Sequence, residues 1–159
     1  MSILNKFTQK KAVHLWPITV LRVYTGVFFA YYGFGKIKRG GFADSLEGFV
    51  SGKLEDSFGI ISPFLKSVVL PNKEIFAIMV SWGELLIGLA LIVGLATRYA
   101  SIAGAVMLVA FWFTKGQGFL DSQNHDAFWF MIFVVLATVH AGRVHSLDAQ
   151  LSTRFRFLG

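Results

Sequence analysis

Arg22 and Glu84 are the two charged side chains set deep inside long apolar stretches, and they are the first candidates for chemistry. Glu84 lies near the middle of IFAIMVSWGELLIGLALIVGL, residues 75–95. This run of about 20 residues is long enough to cross the hydrocarbon of a bilayer at ~1.5 Å per residue. A charge at that depth is costly, so it should face protein and have a partner. Counted from the ends they would share in an antiparallel pair, Arg22 and Glu84 come out at nearly equal depth. The expectation is therefore a buried polar site made of Arg22, Glu84 and Ser81, with Ser81 one turn before Glu84. Such a site could hold a quinone headgroup or pass a proton, because a carboxyl group can both accept and donate one. An equally open reading is a structural ion pair that fixes helix register.

Two further groups deserve weighing. The loop TKGQGFLDSQNHD brings Asp121, Asn124, His125 and Asp126 close together. They could form a loop-side cluster for a metal or an entering proton. Their spacing equally suits a capped helix start with Asn124 or Asp126 as the cap, which is the favoured reading, and no metal site is assigned. His14 and His140 should lie near one membrane face and could ligate a haem. Interfacial histidines more often bond headgroups or helix ends, so haem is not expected. The chain has no cysteine. That removes thiol nucleophiles, thiolate metal sites and Cys-held iron–sulfur clusters within this chain. No phosphate loop, nucleophile elbow or metalloprotease signature is present, so no catalytic residue is assigned and no covalently bound cofactor is expected.

The elements that must position these residues follow from hydropathy. The 159 residues are 55% hydrophobic and only 15% charged, with mean hydropathy +0.61. Soluble domains carry about 25% charged residues, so the excess apolar surface should face lipid. The pattern predicts a single all-α transmembrane domain over residues 1–159. It is an antiparallel four-helix bundle with spans at about 12–35, 75–95, 99–114 and 127–141. Gly26, Ala30 and Gly33 follow Arg22 at helical spacing and would let another helix approach closely. The basic N-terminus resembles a signal peptide, but the apolar run after it is long, contains Arg22 and lacks a convincing cleavage site, so it reads as a retained first span. Residues 36–74 are too long for an ordinary loop. Phe42, Leu46, Phe49 and Val50 recur at helical spacing opposite Asp44, Ser45 and Glu47, and IISPFLKSVVLP is a second apolar piece. Both are too short to cross and should be interfacial helices capping one mouth of the bundle. Gly94 should end the second span, with Thr97 capping the third.

The net charge of +6 and a pI of about 9.8 come from residues flanking apolar segments, with no basic tract dense enough for nucleic acid. Basic residues divide evenly between the two sides, whereas acids gather on the loop side. Charge thus favours cytoplasmic termini in an inner (cytoplasmic) membrane, multi-pass, through the acids alone.

Short motifs in order carry a resemblance. These are Arg22-x3-Gly26, Phe28-Phe29, Gly33 and Lys36, then Glu84-x3-Gly88 and Gly94-x3-Arg98, then Ala141-Gly142-Arg143 and Ser146-Leu147-Asp148. The chain resembles the DoxX/DoxD-like family of small four-helix membrane proteins over roughly residues 21–148. That family includes a membrane subunit of an archaeal thiosulfate:quinone oxidoreductase and bacterial proteins linked to redox and oxidative-stress complexes. The resemblance implies an accessory subunit of a quinone-linked oxidoreductase or respiratory complex, with lipid and other membrane subunits as partners and a quinone as the candidate cofactor. Any covalent sulfur step would fall to a partner. Two other classes stay open: a purely structural subunit stabilising a larger complex, and a transporter of a small solute.

Overall fold

The computed structural model describes residues 16–139. Helix α1 is Trp16–Arg39, α2 is Phe42–Lys53, α3 is Ser62–Val93, α4 is Thr97–Lys115 and α5 is His125–Thr138. Helix α3 is irregular at first: it widens to a π turn over Leu65–Val69 and tightens to 3-10 over Leu70–Asn72, around Pro71. It then runs as regular α-helix over Lys73–Val93. Among the described residues all regular structure is helical. His14 and His140, the first and last stretches of the chain, and the Ala141–Gly142–Arg143 and Ser146–Leu147–Asp148 motifs lie outside the described residues.

Among the described residues, two helices are long and apolar enough to cross a membrane, Ser62–Val93 and Thr97–Lys115. Of the four expected spans, α1 has the length but carries Arg22, Tyr24, Tyr31 and Tyr32, which lower its hydropathy. Helix α5 is apolar but short as described. The surface is inverted relative to a water-soluble domain. Val20, Val27, Ile78, Met79, Leu86 and Val106 face outward, while Arg22, Thr25, Ser81, Glu84 and Ser101 are buried. Outward aliphatic chains and inward polar ones are what a hydrocarbon solvent selects. The buried hydroxyls of Ser81, Ser101 and Thr114 each donate to the carbonyl one turn back in their own helix, at 2.6, 2.7 and 2.8 Å. None of these three hydroxyl hydrogens is thereby left facing an apolar neighbour.

The tightest packing is between α1 and α3. It is a seam of glycines. Gly26 lies against the backbone of Gly88 and Ile92, Gly33 against Ser81 and Leu85, and Gly88 against Gly26 and Ala30. Any Cβ at these three positions would meet opposing backbone at under 3.0 Å. The contacts set an antiparallel register in which residue 26 opposes residues 88–92 and residue 33 opposes residues 81–85. Helices α4 and α5 pack together around Gly104, whose missing side chain receives the Phe133 ring. Helices α1 and α5 are joined through rings: Phe28 and Trp129 stack with centroids 4.4 Å apart, and Phe29 meets Phe133 edge-on at 4.9 Å.

The four longer helices thus contact one another in cyclic order, and α2 lies across one end, as its amphipathic spacing requires. Ala43, Leu46 and Val50 of α2 pack on Leu65, Val69 and Ala77 of α3 in a second apolar cluster. Lys73 holds the outer face of α2 through Asp44 at 2.7 Å and Glu47 at 2.6 Å. Lys73 also holds the Asp44 carboxyl below the usual carboxylate range, first by the hydrogen bond and then by its charge. Gly40 and Gly41, both at positive φ, turn the chain from α1 into α2. Gly94 ends α3 in a left-handed cap with its N–H on the Ala90 carbonyl. The cap of α4 is not Thr97 but Ala96, in left-handed backbone, with Thr97 already inside the helix. The turn after Gly94 is one residue tighter than a side-chain cap at Thr97 would need.

Candidate functional site

The carboxylate of Glu84 is paired, and its partner is Lys36. Lys36 Nζ donates to Glu84 Oε1 at 2.5 Å. The expected Arg22–Glu84 contact is therefore corrected by the structure. The seam puts Gly33 against the Glu84 side chain. Arg22 is eleven residues earlier on the same helix, roughly 16 Å along its axis, far beyond the reach of an ion-pair contact. Equal depth from the helix ends does not bring the two together, because the glycines and not the ends fix the register. Both residues are nonetheless buried, Arg22 at 1% and Glu84 at 7% exposure. Ser81 is buried too, but its hydroxyl is taken up by the Ala77 carbonyl and its backbone serves the seam at Gly33.

The first span expected from hydropathy ends at about residue 35 and leaves Lys36 just outside it. Helix α1 continues to Arg39, and this extra turn carries Lys36 onto the stripe already marked by Arg22, Gly26, Phe29 and Gly33. The signal was available: residue 36 follows residue 22 by two heptads, so it shares that face.

The ion pair lies at the wall of a cavity of about 530 Å³ at the loop end of the bundle. Phe28, Phe29 and Tyr32 of α1, Met107 and Phe111 of α4, and Trp129 of α5 line it, and Phe42, Leu46 and Phe49 of α2 roof it. Lys36 Nζ also sits 4.9 Å from the Phe42 ring centroid, which ties roof to wall. Lys115, His125 and Asp126 reach the same cavity, and Lys115 pairs with Asp126 at 2.7 Å. The loop cluster is thereby divided. His125 and Asp126 join Glu84 and Lys36 around one space. Asn124 is the helix cap, accepting from the Ala127 N–H at 3.0 Å and donating to the Gly118 carbonyl at 2.9 Å. Asp121 accepts from the Gln123 N–H in the turn. Among the described residues no three His, Asp or Glu side chains converge as metal ligands.

Both carboxylates at this cavity, Glu84 and Asp126, have a buried oxygen without a hydrogen-bond partner among the described residues, although that of Asp126 is within ion-pair distance of Lys115. In Glu84 it is the second oxygen, Oε2. A buried carboxylate oxygen without a donor costs on the order of 1–3 kcal/mol. The cavity thus combines flat aromatic walls with two lysine–carboxylate pairs.

Fold and site together define an all-helical integral membrane protein with a polar, aromatic-lined cavity near one end of its bundle. The DoxX family profile matches residues 18–116, well over half of the chain, and the chain belongs to that family. The match covers α1 to α4, including Lys36 and Glu84. No curated protein and no solved structure matches the chain.

Proposed function

We propose that this DoxX-family protein is a membrane subunit accessory to a quinone-linked oxidoreductase or respiratory complex, and that its cavity receives the quinone headgroup. In this reading α1 and α5 cross the bilayer with α3 and α4, in the cytoplasmic membrane, with both termini on the cytoplasmic side. The observation that carries it is the cavity: about 530 Å³, within the range of small-molecule sites, walled by rings, with Lys36 and Glu84 at its inner wall. Rings of Phe28, Phe111 and Trp129 suit a planar headgroup, and lysine ammonium groups suit its carbonyl oxygens as donors. The chain has no cysteine, so any thiol or iron–sulfur electron carrier belongs to a partner subunit.

A second reading, a purely structural subunit, is favoured by the glycine seam, which makes α1 and α3 a rigid pair. Replacing Glu84 by Gln separates the two, with assembly and quinone-linked turnover measured in the same membranes. Intact assembly with turnover lost supports the site. Loss of the complex itself supports the structural role. Unchanged behaviour in both removes Glu84 from either.

A further inference from the structure

A second cavity, of about 110 Å³, adjoins the first between α2, α3 and α4. Leu46 and Phe49 of α2 and Met107 and Phe111 of α4 line both, so these four side chains form the wall between them. The one polar side chain lining the second cavity is Thr114, whose hydroxyl already donates to the Ala110 carbonyl at 2.8 Å. With no free side-chain donor or acceptor it offers water nothing; apolar cavities of about 150 Å³ stay dry and take up benzene instead. Leu65 and Val69, the two ends of the π turn in α3, both line it. Widened turns of this kind are frequent at functional sites. The dividing wall can yield. Methionine is unbranched and re-packs readily, and the Phe49 and Phe111 rings meet edge-on with centroids 6.3 Å apart, toward the long end for ring pairs.

From these adjoining cavities we infer that the ligand is an amphiphile whose polar ring lies in the first cavity and whose apolar chain passes the Leu46–Phe49–Met107–Phe111 wall into the second. This rests on the reading of the first cavity as a quinone-headgroup site and adds to it the place of the chain. Polarity divides the same way. Both lysine–carboxylate pairs, Lys36–Glu84 and Lys115–Asp126, line the first cavity, and no charged residue lines the second. A ring that keeps its carbonyl oxygens at the lysines turns its apolar substituent toward the lining that is free of charge. The chain has another course, directly out to lipid past Tyr32 and His125, the exposed lining residues of the first cavity on α1 and α5. On that course the second cavity stays empty and its walls forgo the contacts a chain would make.

The test uses the full chain in lipid nanodiscs and photolabelling, with the labelled residues read by mass spectrometry. The probe is 2,3-dimethoxy-5-methyl-1,4-benzoquinone bearing, at its remaining ring carbon, a hexyl chain that ends in a diazirine. The same quinone with a plain hexyl chain is the competitor, and only label that the competitor removes is counted. The expected result is competable label on Val50, Leu65 and Val69. These line the second cavity but not the first, and at 2, 3 and 6% exposure they are shielded from probe dissolved in the surrounding lipid. Val80→Phe, which places a ring in the second cavity, should abolish that label, and label persisting there in the folded variant overturns the inference. Competable label confined to the neighbourhood of Tyr32 and His125 also overturns it, while leaving the first cavity as a quinone site. Absence of any competable label overturns that site and the inference with it. The wild-type labelling decides the matter even if the Val80 variant fails to fold.

Discussion

Replacing Gly88 by Ala adds one methyl group at the tightest point of the fold. Its Cβ would lie 2.6 Å from the Gly26 carbonyl oxygen and 2.8 Å from the Ala30 Cα, and closer still to the Ala30 backbone nitrogen. None of these atoms belongs to a side chain that can turn away. Restoring the Gly26 contact to an ordinary 3.4 Å requires the two helices to part by roughly 0.8 Å at that level. Overpacking of this kind costs about 1–3 kcal/mol. The better helix propensity of Ala gives back about 0.5–1 kcal/mol, so the net expected loss is on the order of 1–2 kcal/mol. The control is Gly35→Ala on α1, where nothing lies within 4 Å of the added carbon. That variant should be neutral or more stable by up to about 0.5–1 kcal/mol. Both are measured by SDS titration of the purified protein in mixed micelles, followed by circular dichroism. A Gly88→Ala protein as stable as the parent would refute the close seam, and with it the register that separates Arg22 from Glu84. Equal destabilisation by Gly35→Ala would show that the loss has nothing to do with helix contact.

Three other outcomes follow from the same geometry. Lys36→Met leaves Glu84 buried without its counter-charge and should cost about 3 kcal/mol, the low end for a broken buried pair since Lys36 is 24% exposed; the double change Lys36→Met/Glu84→Met should recover most of that loss, and no recovery in the same SDS titration would contradict the pairing. Asn124→Ala removes the cap of α5 and should destabilise by about 1 kcal/mol, read as a lower midpoint in that titration, with Asn124→Gly costing only a few tenths. The Asp44 carboxyl is held below its ordinary 3.8 by Lys73, so the folded-state contribution of this contact is present at neutral pH, stays whole down to about 3.8 and is lost as pH falls through the lower folded value; a carboxyl carbon NMR titration should place Asp44 below 3.8 in the parent and nearer 3.8 in Lys73→Met, and no difference between the two would refute the contact.

Local order was readable because local rules dictate it. The apolar runs, the break at Gly94, the amphipathic spacing from Phe42 to Val50 and a helix cap at Asn124 or Asp126 all depend on neighbours a few residues away. So does the prediction that Glu84 must have a partner, since the cost of an unpaired charge in an apolar setting does not depend on topology. Sequence alone thus fixed the helical class, a helix roof over one mouth, and a buried carboxylate. It could not fix who meets whom. Depth measured from assumed helix ends pointed to Arg22, but helix–helix register is decided where backbones touch, at Gly26, Gly33 and Gly88, and those contacts exist only once two helices are packed. The same packing turned Lys36 from a flanking charge into the partner of Glu84. It also brought His125 and Asp126, 41 and 42 residues along the chain from Glu84, to the same cavity while leaving Asp121 in its turn.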